Sequence, residues 1–156
     1  MRKRIIGHVQ EAASLEQGWL SVEELAEVEI TSEDAAHPIE SALLPGGTLG
    51  WRAAEAGNQT IRLLFNHPQQ LRRIWMNFVE PQTERTQEYV LRWSSDGGQS
   101  FREIVRQQWH FSPPSTTNEM EDYHVELPPI TTLELSIIPD ISGGTAFASL
   151  AQLRLA

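Results

Sequence analysis

The stretch Arg85-Thr-Gln-Glu-Tyr-Val-Leu-Arg-Trp-Ser-Ser-Asp-Gly-Gly-Gln-Ser-Phe101 decides the fold class of this chain. In its alternating run, Tyr89-Val-Leu-Arg-Trp93, every second side chain faces the same side, a period that is typical of a half-buried strand. Residues 94–100 then supply turn chemistry, because the aspartate can bond to its own backbone and the glycines reach positive φ without strain. Phe101 opens a second apolar-rich run. The stretch therefore predicts a β-hairpin with a compact loop.

Further short strands are predicted on both sides of this hairpin, with turn-forming residues between them. Apolar or alternating runs of strand length occupy 28–30, 61–65, 74–79, 88–93, 101–109, 123–127, 133–137 and 147–155. Asn66-His-Pro-Gln69 is expected to turn the chain, and 112–122 is expected to be a polar loop. The sequence predicts an all-β protein, an antiparallel β-sandwich of the jelly-roll type with about eight strands.

The chain is predicted to consist of a short arm and one domain. Its 156 residues suit a single domain, and we expect a loosely ordered arm over 1–20 and the β-sandwich over 21–156. The capping-box spacing of Ser21-Val-Glu-Glu24 predicts one helical turn. No period is sustained over 31–58, a long loop that we expect Trp51 to anchor in the core.

Composition argues against several classes of partner and cofactor. Lys and Arg number 12 against 21 Asp and Glu, and the formal charge of −9 argues against nucleic acid and against an anionic membrane surface. There is no cysteine for a disulfide or a thiolate site, and the five histidines show no metal-ligand spacing. No signal-peptide core and no apolar run of about 18 residues occurs. We therefore expect a soluble, cytoplasmic chain with no metal and no other cofactor.

Catalytic signatures are absent from the sequence. It contains no phosphate-cradling glycine loop, no nucleophile elbow and no His-Glu-x-x-His motif. The adjacent carboxylates of Glu23-Glu24 and Glu33-Asp34 are interpreted as solvated surface. Ser94-x-Asp-Gly-Gly-x-Ser-Phe101 resembles the Asp-box of sialidase-type propellers, but a propeller needs several copies of that unit. We expect no enzymatic activity.

The order of several motifs resembles the discoidin, or coagulation factor 5/8 type C, superfamily of galactose-binding-like jelly rolls. The resemblance covers residues 25–156 and rests on Val28-Glu-Ile-Thr-Ser32, Gly50-Trp-Arg-Ala53, Gln59-Thr-Ile-Arg-Leu63, Tyr89–Gly98 and Leu153-Arg-Leu155. It implies a non-enzymatic binding domain: secreted members bind sugars or lipid head groups, and intracellular members of related folds dock proteins. Many sugar-binding members hold a structural calcium. Here the loop 44–48 lacks an aspartate and Gln152 replaces the expected carboxylate, so no calcium is expected.

Strand parity predicts where a ligand would bind. If successive strands are antiparallel, the connections 31–59, 81–85, 111–121 and 139–144 lie at one end of the sandwich and the short turns at the other. Long loops on a rigid scaffold usually carry binding, and the resemblance implies the same end. The candidate ligand-binding residues at this end are His37, Arg52, Arg85, Trp109, His110 and Asp140.

Five of the six candidates also have a specific structural interpretation. Trp109 could stack on a sugar or pack at a strand edge, His37 could brace its loop, and Asp140 could form a turn. The two arginines could bind hydroxyls or carboxylates, or pair with Glu80 or Glu84. Two functions stay open. Carbohydrate binding through the long loops is favoured by the resemblance, and an intracellular protein-docking module is favoured by the acidic surface and the missing secretion signal.

Overall fold

A computed structural model describes residues 18–47 and 49–156 of the chain. Most of the arm expected over 1–20 lies outside these residues. The end of the arm is described, and it packs on the domain. The Leu20 N–H donates to the Leu155 carbonyl at 2.7 Å, and the rings of Trp19 and Trp75 lie 6.5 Å apart between centroids. Trp19 and Leu20 therefore contact the β-sandwich.

Two single-turn helices and ten strands make up the described chain. The helices are α1 (Val22–Leu25) and α2 (Glu40–Leu43). The strands are β1 (Ala26–Ile30), β2 (Trp51–Arg52), β3 (Gln59–Gln69), β4 (Arg73–Val79), β5 (Arg85–Ser94), β6 (Arg102–Phe111), β7 (Asn118–His124), β8 (Ile130–Ile138), β9 (Ser149–Leu150) and β10 (Gln152–Leu155). Among these elements no helix has the length and apolarity needed to cross a membrane.

The strands pair antiparallel in two main sheets and one small one. The larger sheet has the order β1-β3-β8-β5-β6, the second has the order β10-β4-β7, and β2 pairs with β9. The two main sheets enclose the core, as the stacked rings of Phe78 on β4 and Tyr89 on β5 show at 5.1 Å. Residues that are less than 2% exposed come from both sheets, among them Ile61, Leu63, Ile74, Met76 and Leu91. The all-β sandwich predicted from the sequence is confirmed.

The hairpin that decided the fold class has the predicted form. β5 and β6 pair from Arg85↔Phe111 to Trp93↔Arg102. Tyr89 and Leu91 are fully buried, whereas Trp93 on the same face is half-buried. In the turn, the Asp96 carboxylate accepts hydrogen bonds from the Ser100 N–H at 2.9 Å and the Ser94 hydroxyl at 2.6 Å. These bonds, led by one from the Ser100 hydroxyl, hold the pKa of Asp96 well below its usual range.

The prediction of a turn at 66–69 is wrong, because these residues belong to β3. Pairing with β8 breaks after Leu64 and resumes at Gln69 opposite Ile130. Pro68 is compatible with this irregular segment, since a bulged stretch leaves ladder positions unpaired. Proline was therefore a misleading turn signal here.

The seventh strand starts earlier than expected. It covers Asn118–His124 and pairs with β4, whereas the sequence predicted a loop to residue 122 and a strand over 123–127. β7 is an edge strand with one face in solvent, where Met120 and Asp122 are exposed. A half-solvated strand of this kind has the polar sequence of a loop.

Two further regions differ from the sequence prediction: the segment 31–58 and the last strand. The segment 31–58 contains α2 and β2, which were not predicted. The last strand is divided into β9 and β10 at Ala151, whose N–H turns to the Asn77 carbonyl at 2.9 Å. The core position predicted for Trp51 is confirmed: it is 1% exposed, and its indole N–H donates to the Ser32 carbonyl at 3.0 Å.

Candidate functional site

The long connections meet at one end of the sandwich, as strand parity predicted. The Gly57 N–H donates to the Ala146 carbonyl at 3.2 Å, which joins the connection before β3 to the one after β8. The Glu80 N–H donates to the Thr117 carbonyl at 2.7 Å, which joins the β4–β5 and β6–β7 connections. We call this end the loop end.

A small polar cavity of about 140 Å³ opens at the loop end. It is lined by Arg52, Glu80, Gln82, Thr83, Thr145, Ala146 and Phe147. The Arg52 side chain leaves the short strand β2, whose pairing of Arg52 with Ser149 brings the β8–β9 connection alongside it. Its guanidinium lies 5.2 Å from the centroid of the Phe147 ring, within cation–π range. We call this cavity the Arg52 cavity.

Glu80, the acidic residue that lines the same cavity as Arg52, already has hydrogen-bond partners. The Glu80 carboxylate accepts hydrogen bonds from Arg85 Nε at 2.8 Å and from the backbone N–H groups of Gln82 at 3.1 Å and Thr83 at 3.2 Å. Burial opposes ionisation of Glu80, but these donors outweigh it, and the net effect lowers the pKa of Glu80. The ionised carboxylate therefore shapes the β4–β5 connection that forms one side of the cavity.

A second, smaller cavity of about 70 Å³ adjoins the first and shares Ala146 with it. Asp140 lines it together with Gly57, Asn58, Gly143 and Gly144. Asp140 Oδ1 accepts hydrogen bonds from the Ser142 hydroxyl at 2.7 Å and the Ser142 N–H at 3.1 Å, and the hydroxyl bond is the main reason that the pKa of Asp140 is lowered. Asp140 is thus the turn-former that the sequence allowed, and it also lines a cavity.

Arg85 was predicted as a ligand-binding residue, but the structure places its side chain in the interior. Its side chain is fully buried, donates to Glu80 and to the Pro139 carbonyl at 2.8 Å, and lies over the Phe111 ring at 4.8 Å. A ligand cannot contact this guanidinium directly. The sequence interpretation in which Arg85 pairs with Glu80 is the one that the structure shows.

His37 and the Trp109–His110 pair lie outside the cavities of the loop end that contain Arg52 and Asp140. His37 Nδ1 lies 3.1 Å from the Asp34 carboxylate and braces its own loop. Trp109 is half-buried on the inner face of edge strand β6 and packs against the core. His110 is exposed on the opposite face, with Nδ1 2.8 Å from the Thr86 hydroxyl. Of the six candidates, Arg52 and Asp140 line adjoining cavities.

Several cavity residues were missed by the sequence interpretation. The sequence places Phe147 in the last predicted strand, and Gln82, Thr83 and Thr145 carry no local signal that marks them as ligand contacts. One signal was available: Phe147 follows Gly143-Gly144 closely, and an aromatic residue beside a glycine-rich loop at a binding end is a candidate contact. The two threonines carry no comparable signal, because their position depends on how the loops pack.

A buried polar cluster lies behind the loop end, between β5, β6 and β7. Gln87 connects it, since its amide accepts from Arg85 Nη1 at 3.4 Å and donates to Glu119 Oε1 at 3.1 Å. Among described residues, Arg85 Nη2, Trp109 Nε1 and Glu119 Oε2 are buried without a hydrogen-bond partner. Burial, reinforced by the neighbouring Glu121, raises the pKa of Glu119 to about 8.

Two larger cavities, of about 400 and 450 Å³, lie beside α1, β1 and α2. Both are lined by apolar side chains, including Val22 and Leu43, and by acidic ones: Glu23 borders both, and Glu33 and Glu40 border the cavity of about 400 Å³. Arg154 borders one of them, but its guanidinium donates to the carbonyls of Ala42 at 2.8 Å and Leu44 at 3.2 Å. Of the carboxylates in the first cavity, Glu33 accepts a hydrogen bond from the Ile39 N–H at 2.9 Å.

No cluster of three or more His, Asp or Glu side chains that could hold a metal ion occurs within 18–47 and 49–156. The carboxylates of the loop end are instead bonded to neighbouring side chains and backbone N–H groups, as Glu80 and Asp140 illustrate.

The fold is shared with solved binding domains of low sequence identity. A family 32 carbohydrate-binding module of NanJ from C. perfringens, in complex with galactose, matches with a TM-score of 0.63 and 16% identity over 88% of this chain and 96% of that chain. The module CpGH89CBM32-5 from Clostridium perfringens, in complex with GalNAc-β-1,3-galactose, matches with 0.64 and 19% identity over 88% and 98%. XRCC1, in its reduced form bound to the DNA polymerase β catalytic domain, matches with 0.59 and 15% over 85% and 95%.

Sequence comparison adds no relative to this picture. No protein-family model matches the chain, and no curated protein matches it either. The structural matches and the sheet topology together define a jelly-roll β-sandwich, the fold of those carbohydrate-binding modules. The resemblance and the fold class predicted from the sequence are therefore confirmed at the level of the fold.

Proposed function

We propose that this domain is a non-enzymatic carbohydrate-binding module that holds a sugar in the Arg52 cavity. The observation that carries the proposal is the meeting of an aromatic ring, an exposed guanidinium and two hydroxyl side chains in one concave site, formed by Phe147, Arg52, Thr83 and Thr145. Sites for small ligands combine apolar surface with a few placed polar groups in this way. The galactose and GalNAc-β-1,3-galactose complexes of fold neighbours support the same ligand class.

The chemistry of the site suits sugar hydroxyls. A sugar ring presents hydroxyl groups that both donate and accept. Arginine offers five N–H donors, and threonine hydroxyls and the Gln82 amide can both donate and accept. The half-buried Phe147 ring adds apolar surface beside them. The cavity is small, about 140 Å³, which suits one sugar unit rather than a long chain.

The state of the carboxylates supports binding rather than catalysis. A general acid needs a raised pKa, which burial or a like charge supplies. At the loop end the pKa values of Glu80, Asp140 and Asp34 are instead lowered, because each carboxylate accepts hydrogen bonds from neighbouring groups. None of the three is poised to give a proton to a leaving group.

Calorimetric titration of the full chain with galactose, N-acetylgalactosamine and their disaccharides tests the proposal. Phe147→Ala and Arg52→Ala should each weaken binding of the sugar by at least tenfold, or ~1.4 kcal/mol, while far-UV circular dichroism stays unchanged. Arg102→Ala is the matched control, because Arg102 is also exposed and lies 5.9 Å from an aromatic ring, that of Trp93, on the distant β5–β6 hairpin.

Two results would contradict the proposal. Equal weakening by Arg102→Ala would show that the effect is not local to the cavity. Absence of binding to every sugar, together with binding of a protein partner that Arg52→Ala abolishes, would favour the protein-docking alternative. That alternative draws support from the fold neighbour that is bound to a polymerase domain.

A further inference from the structure

Arg52 differs from Arg85 in being exposed, with guanidinium N–H groups that a ligand can reach. It is exposed, and its guanidinium donates no hydrogen bond to any other residue within the described ranges. Arg85, by contrast, is buried and donates to Glu80, Gln87 and Pro139. The Arg52 cavity therefore has a cation in its wall whose directional bonds are available.

Glu80 and Asp34 do not use those donors. Glu80 faces the same cavity, but its oxygens accept from Arg85 and from two backbone N–H groups. The field of Arg52 also reaches Asp34, but the hydrogen bonds of that carboxylate come from His37 at 3.1 Å and the Ala36 N–H at 3.3 Å. An acidic group on a ligand would meet carboxylates that are already engaged and a guanidinium that is not.

Contact with the Phe147 ring holds the Arg52 guanidinium in place for pairing with a planar anion. The guanidinium carbon lies over the ring, 5.2 Å from its centroid, and no residue in the described ranges accepts a hydrogen bond from the guanidinium N–H groups. The edge of a guanidinium matches both oxygens of a carboxylate in a two-bond pairing that a lysine cannot reproduce. Because the Arg52 side chain is already held against the ring, it loses less conformational entropy when the ligand binds.

We infer that the sugar bound in the Arg52 cavity is a carboxylated one, such as a hexuronic or sialic acid, with its carboxylate paired to Arg52. The inference rests on the proposed carbohydrate function and narrows its ligand class. The formal charge of −9 does not oppose it strongly, because charges farther away than the Debye length of about 8 Å are largely screened at physiological salt.

Matched acidic and neutral ligands test the inference. The full chain is titrated by calorimetry with galacturonate, glucuronate and N-acetylneuraminate, each against its own methyl ester, which keeps the size and removes the charge. At least one acid should bind ten times more tightly than its ester. Arg52→Gln should abolish that preference, and Arg52→Lys should keep only part of it. Added salt should weaken the binding of the acid more than the binding of the ester.

The outcomes separate this inference from the function on which it rests. If esters or neutral sugars bind as tightly as the acids, or if Arg52→Gln keeps the preference, the carboxylate pairing is refuted and carbohydrate binding stands. If no acidic or neutral sugar binds at millimolar concentration, both are refuted. Arg102→Gln serves as the control for a general loss of positive charge and should leave the preference unchanged.

Discussion

Replacing Glu119 with glutamine should remove a large pH dependence from the stability of this domain. Glu119 is fully buried, accepts one hydrogen bond from Gln87, and has a second oxygen without a partner among described residues. Burial and the nearby Glu121 raise its pKa to about 8, compared with an ordinary value of 4.5 in the unfolded chain. Between those values the folded protein holds a proton that the unfolded chain has released.

The sign of the effect follows from that difference. A group that binds its proton more tightly in the folded state contributes stability that is complete below the unfolded pKa. That stability is lost as pH rises through the folded pKa. The free energy of unfolding should therefore fall by about 1 kcal/mol for each pH unit between pH 5 and 7, or ~2–3 kcal/mol in all. Glutamine resembles the protonated carboxyl in shape and can keep the bond to Gln87, so the variant should not show this fall.

Urea unfolding at pH 5, 6, 7 and 8 measures the effect. The difference in unfolding free energy between Glu119→Gln and the wild type should grow with pH in favour of the variant. Met120→Gln is the matched control, because it introduces the same side chain at the next, exposed position of β7 and removes no titratable group. Parallel pH curves for Glu119→Gln and the wild type would refute the reasoning and show that the carboxyl is ionised throughout.

Two further substitutions test the packing. Trp93→Ala should destabilise the domain by ~1–3 kcal/mol in urea unfolding, less than the ~3–5 kcal/mol of a fully buried aromatic residue, because Trp93 is half-buried; a loss of the larger size would contradict that placement. Gly50→Ala should cost about 2–4 kcal/mol, because Gly50 has a φ of 70° and an added Cβ would lie 2.8 Å from the Ala151 Cα. Gly97→Ala, with a φ of 74° and open space around it, should cost only ~1–2 kcal/mol, and equal losses would refute the contact.

The fold class was accessible from the sequence because its strongest signals are local. The alternation in β5 and the turn chemistry around Asp96 depend on neighbours along the chain, and both have the predicted form. The errors occur where tertiary context overrides local preference. β7 has the composition of a loop because one of its faces is solvated, and Pro68 lies within β3 because that strand is irregular there.

The gathering of the long connections at one end was predictable from the sequence, and the side chains that line the cavity there were predictable only in part. Strand parity was sufficient to bring the long connections together, because it depends on the order of strands and not on their side chains. Whether a polar residue faces solvent or core depends on three-dimensional packing. Arg52 and Arg85 therefore looked equivalent in sequence, although one is exposed over Phe147 and the other is buried against Glu80. Thr83 and Thr145 reach the same cavity through loop geometry that no local pattern encodes.

Chemical-shift mapping on the ¹⁵N-labelled full chain tests the central claim most directly. The protein is titrated with the sugar that binds most tightly in calorimetry. Carbohydrate binding in the Arg52 cavity predicts saturable shifts at the amides of Arg52, Thr83 and Phe147, and none at the β5–β6 turn around Gly97. Shifts confined to residues that line the two larger cavities, such as Val22 and Leu43, or no saturable shift at any amide, would contradict the account.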